Sequence, residues 1–105
     1  MDTVMFLLMF NLGEKRYFLH DGFQFCGATS RSVAECRRLE NAAKAISVKG
    51  LDIVELTVEQ LAKAIGTSKE KPMYKIVSVT GGLVPFSAVE IVDDSFLLEI
   101  QDDKR

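Results

Sequence analysis

The side chains able to do chemistry are few, and their spacing gathers no reactive set. His20 is the single histidine, followed directly by Asp21. An imidazole and a carboxylate form an acid–base pair only where they meet, and neighbouring residues of an extended segment point to opposite faces. His20-Asp21-Gly22 is therefore expected to be a turn with its ring in solvent. Cys26 and Cys36 are the only thiols. A structural zinc site takes about four ligands, so two cysteines and one histidine leave it short within one chain. Cys36 falls on an apolar stripe, where a thiol packs as a small hydrophobe, and Cys26 reads the same way. Gly81-Gly82 is not followed by a helical pattern, so no helix N-terminus is expected there to hold a phosphate. Asp93-Asp94 reads as a hydrated turn. No catalytic, cofactor-binding or metal-binding residue is assigned, no cofactor is expected, and an enzyme is not expected.

Charge narrows the partners. The net charge of −2 gives no whole-molecule field for nucleic acid or an anionic membrane. The distribution is uneven: residues 13–50 hold seven bases against four acids, a net +3, and residues 90–103 hold six acids and no base. Arg31, Arg37, Arg38 and Lys44 decorate one expected helix and form the candidate interaction surface. Nucleic-acid modules add stacking aromatics on the same surface, and Phe23 and Phe25 are expected to serve the core instead. Nucleic acid is thus an unlikely partner on this reading, and another protein or a second copy is the expected one, a homodimer included. The mean hydropathy is slightly positive, in keeping with an apolar surface covered by a partner.

These residues must be positioned by one domain, since 105 residues leave room for no more. The chain is expected to be α+β over residues 1–105. Val4–Phe10 is apolar on both parities and too short for a bilayer, which needs about 20 residues, so it reads as a strand covered on both faces. Asp2 stands where a secretory leader would be basic, and few cysteines are present, so a cytoplasmic address is expected. Asn11-Leu12-Gly13 turns the chain into a strand over 15–19, and Asp21-Gly22 turns it again into a third strand over 23–26.

Ser32 and Glu35 form a capping box that opens a helix, with Val33, Cys36, Leu39, Ala43 and Ile46 as its buried stripe and Gly50 as its stop. Residues 51–56 fit either a strand or a connector. Thr57 and Gln60 repeat the capping box, Leu56 and Leu61 make a hydrophobic staple, and Gly66 ends this second helix. Residues 67–72 are expected to form a mobile loop. Strands over 74–80, 83–92 and 96–100 follow, and residues 101–105 should fray. The expected order is βββ-αα-βββ, a mainly antiparallel sheet of five or six strands with both helices packed on one face. The expected role is a non-enzymatic protein-interaction or self-associating domain, with a small-molecule or anion-binding regulatory domain as the alternative.

Overall fold

The computed structural model describes residues 4–27, 37–39, 41, 49–68, 70–71, 73–79 and 86–98. Five antiparallel strands form one sheet: β1 (Val4–Leu12), β2 (Lys15–His20), β3 (Lys49–Thr57), β4 (Val77–Val79) and β5 (Phe86–Glu90), in the order β3-β1-β2-β5-β4. The α+β class is as expected. Both faces of β1 are covered over Leu7–Phe10, as its apolar run leads one to expect, whereas Val4 and Phe6 nearer its start are exposed. Leu7 and Met9 join Phe18, Val54, Leu56 and Val89 in one core. Leu8 and Phe10 join Leu19, Ala88 and Val79 in the other.

The helix Val58–Ala64, here α1, closes the first core with Leu61, Ala64 and Ile65. Its ends are the ones expected. Gln60 N–H donates to Thr57 Oγ1 at 3.1 Å, and Thr57 N–H donates to Gln60 Oε1 at 2.9 Å. At the other end Gly66 has φ +73°, and Thr67 N–H reaches Ala62 O at 2.8 Å. That pattern satisfies carbonyls the helix itself leaves unpaired. Ala64 O also accepts from Val92 and Asp93 N–H, fastening α1 to the chain after β5.

Several expectations are corrected. Leu39, in the helical stretch Arg37–Leu39, is buried with Leu8, Phe10 and Leu19, whereas α1 packs on Leu7, Met9 and Phe18. The described helical residues thus cover opposite faces, since a strand apolar on both parities has two faces to cover. Of the two readings left open for residues 51–56, strand is the one observed, within β3, and Gly50, expected to end a helix, lies in that strand instead. Residues 23–26 form no ladder of their own. Among the described residues 74–79 only Val77–Val79 is strand, and Phe96–Leu98 is helical, with Phe96 inserted in the first core. Val58, the first residue of α1, is exposed. The Ser32–Glu35 cap, Gly81-Gly82 and residues 101–105 lie outside the described residues. Of residues 67–72, the described ones begin with Thr67, whose Oγ1 accepts from Met73 N–H at 2.7 Å.

The outer edge of β3 is partly closed by its own side chains. Leu8 N–H points away from β3, to Cys26 O at 2.9 Å, so the Leu8–Ile53 pair is not hydrogen-bonded and the Ile53 amide faces outward. Asp52 Oδ1 takes that amide at 2.8 Å. Thr57, in the equivalent position opposite Val4, has its amide taken by Gln60.

Candidate functional site

The loop after β2 makes the site. Asp21 Oδ1 accepts from Phe23 N–H at 2.8 Å and Gln24 N–H at 2.9 Å, and Asp21 N–H donates to Gln24 O at 3.1 Å. Gly22 sits between them at φ +99°, a conformation L side chains adopt rarely. An aspartate that binds the amides two and three residues on fixes such a turn. The turn holds Phe23 out in water, 95 % exposed.

The chain then wedges between β1 and β2. Cys26 N–H donates to Leu19 O at 2.9 Å, and Cys26 O accepts from Leu8 N–H, so the segment is bonded on both sides. Two isolated bridges, His20–Phe25 and Leu7–Gly27, replace the expected third strand. Gly27 lies so close to β1 that an added Cβ would fall 1.6 Å from Phe6 O. Beside this wedge lies an apolar recess of about 340 Å³, lined by Met5, Phe6, Phe23, Phe25 and Tyr74 among others. Met73, next to Tyr74, is 80 % exposed.

His20 packs against Phe25 and Tyr74 of the recess wall and corrects the expectation of a solvated ring, being 0 % exposed. Its Nδ1 accepts from Gly22 N–H at 2.9 Å, so the ring proton of the neutral form belongs on Nε2. Nε2 is buried with no hydrogen-bond partner. Phe25 stands edge-on to the ring at 5.0 Å, Tyr74 at 6.0 Å, and Phe25 and Tyr74 meet at 5.2 Å. Opposite on β5 is Ser87. Burial lowers the pKa of His20, and the Asp21 carboxylate draws it part of the way back. A ring held in this way offers a proton at Nε2 rather than a lone pair, so it is a hydrogen-bond donor and not a poised base. The signal for its burial was strand parity, since His20 shares a face with Phe18, two residues earlier.

A second hollow, polar and about 640 Å³, lies where β1, β2 and β5 end. Lys15 pairs with Glu90 at 3.7 Å, and Arg16 pairs with Asp94. The basic and acidic blocks of the sequence thus meet inside one chain. Glu14 and Asn11 complete the wall, and Asn11 Oδ1 is buried there without a partner. Asp93, beside Asp94, accepts from Ser95 N–H at 3.0 Å, and the Ser95 amide and hydroxyl hold its carboxyl below the ordinary value.

Of the other sequence candidates, the described ones line neither hollow. Arg37 and Arg38 are exposed on helical residues, while Arg31 and Lys44 lie outside the described residues. Cys26 is buried in the second core, and Cys36 also lies outside. Among the described residues no three of His, Cys, Asp and Glu come together as a metal site. Among them, too, no helix is long and apolar enough to cross a membrane. Compared with known proteins, the chain matches no family model, no curated protein and no solved structure.

Proposed function

We propose that the chain is a protein-binding domain whose contact face is the aromatic recess beside the Asp21–Gly27 loop. The observation behind this reading is Phe23, a large apolar side chain held almost wholly in water by a turn with three internal hydrogen bonds. Burying a phenylalanine side chain is worth roughly 1.5–3 kcal/mol, so a fixed exposed one is a ready anchor. Phe6, Tyr74 and Met73 extend the apolar surface around it, and patches of this kind mark docking faces. The arginines of the helical stretch carry the interface less well, because Leu39 beside them is buried in the core rather than exposed.

The test is photo-crosslinking from residue 23. With benzoylphenylalanine at position 23, a discrete adduct should form that saturates with partner, and the same probe at exposed Val58 should give none. An adduct of twice the chain's mass identifies a second copy, and any other discrete mass identifies a different protein. Equal, diffuse labelling from both positions would reject the reading.

The charge of the polar hollow favours a second reading, a small-molecule site. Its lining holds two bases against three acids, a net −1, with Asn11 in its wall. A ligand presenting hydrogen-bond donors, such as an amine or guanidinium, fits that better than an anion. Saturable thermal stabilisation by such a compound, lost in Asn11→Ala, would support it.

A further inference from the structure

We propose that His20 and Asp21 form an acid-operated latch on the loop that presents Phe23. In the neutral arrangement the two residues divide the turn between them. His20 Nδ1 receives the Gly22 amide, which leaves Asp21 Oδ1 to receive those of Phe23 and Gln24. Adding a proton at Nδ1 turns that acceptor into a donor facing a donor, and the Gly22 bond is lost. The imidazolium then needs an anion. Of the groups packed against the ring, Phe25 and Tyr74 offer aromatic rings, β5 offers Ser87, and the turn offers Asp21, the charged group that acts on His20. The Asp21 carboxylate is drawn to Nδ1–H and away from the loop amides, so one proton removes three of the bonds that hold the turn. Phe23 is no longer fixed over the recess.

The direction with pH follows from burial. The folded ring binds its proton less tightly than a histidine in water, whose ordinary value is 6.5. The latch is therefore fully closed above that value and opens as pH falls below it. The inference rests on the protein-binding reading only for the use of the device. Its own test is made on the chain alone, so failure to find a partner leaves it standing.

The experiment is a nitrogen-15 NMR titration of the full chain from about pH 7.5 to about pH 5, a range in which histidine titrates and exposed carboxylates stay charged. His20 Nδ1 should change from acceptor to protonated. Over the same range, hydrogen-exchange protection at Gly22, Phe23 and Gln24, corrected for intrinsic pH dependence, should fall about tenfold or more. His20→Asn places a non-titrating acceptor near the position of Nδ1, and its loop should hold constant protection. Asp21→Asn keeps an amide oxygen for the loop but removes the charge, so His20 should still titrate while the turn opens less. Three results would each overturn the latch: His20 protonating with loop protection unchanged, His20 staying neutral down to pH 5, or His20→Asn losing protection as the wild type does. Should His20→Asn fail to fold, the wild-type titration alone decides.

Discussion

At Gly27 the backbone of β1 leaves room for a hydrogen and nothing more. A methyl there would overlap the Phe6 carbonyl oxygen at 1.6 Å, and backbone cannot swing aside as a flexible side chain can. Gly27→Ala should therefore lower stability by about 3 kcal/mol, at the upper end of overpacking effects, measured by urea unfolding. Gly13 is the useful contrast. Open space surrounds its missing Cβ, but φ is +66°, so Gly13→Ala should cost about 1–2 kcal/mol from conformation alone. Phe23 makes the opposite case. A side chain this exposed contributes little to the core, and Phe23→Ser should leave the unfolding free energy within about 0.5 kcal/mol of wild type. That neutrality separates the proposed docking role from a structural one.

Among the elements, β3 and α1 are joined through a shared residue. Thr57 ends one and caps the other, and its amide would otherwise face outward from the sheet edge. Thr57→Ala should cost about 1 kcal/mol by loss of the cap, read from thermal unfolding. Asp52 acts on the same edge. By taking the Ile53 amide it fills a position that a second extended chain would need for pairing. Asp52→Ala should leave stability almost unchanged but promote concentration-dependent association, seen as a rising mass in sedimentation or light scattering. No change in mass with concentration would mean that the rest of the β3 edge is enough to prevent pairing. The two carboxylates that might look alike in sequence, Asp52 and Asp94, thus have different work. One caps a strand edge, and the other pairs with Arg16 across the polar hollow. That exposed pair should contribute no more than about 1 kcal/mol, because water screens it.

For the molecule as a whole, the sheet carries two cores back to back, and the fully buried Phe18 and Phe10 stand for one each. Phe18 packs with Phe25 and Phe96, and Phe10 stacks on Tyr17 at 5.4 Å. Phe18→Ala and Phe10→Ala should each cost about 3–5 kcal/mol. They lie on opposite faces of adjoining strands, so their effects should be close to additive in chemical unfolding unless the sheet relays strain between them. The recess belongs to only one of these cores, since Phe25 and Tyr74 pack against the Phe18 cluster. Loss of Phe18 should therefore loosen the recess, while loss of Phe10 should lower stability with the recess retained.

Local rules were enough for everything that depends on a few adjacent residues. The capping box at Thr57 and Gln60, the ending at Gly66, the turns at Gly13 and Gly22, and the two-faced character of Val4–Phe10 all follow from short-range geometry and hydrogen bonding. Long-range pairing decided the rest. Residues 51–56 became strand because β1 offered them an open edge, and the Phe23–Gly27 stretch gave up strand pairing for a wedge because β1 and β2 diverge there. His20 is the sharpest instance. Its neighbours Asp21 and Gly22 mark a turn, and turns are usually wet, yet Phe25 and Tyr74 arrive from elsewhere in the chain to cover it. Parity with Phe18 puts the ring on the first-core face, but what closes over it there includes Tyr74, far along the chain, and that packing is not contained in the residues beside it.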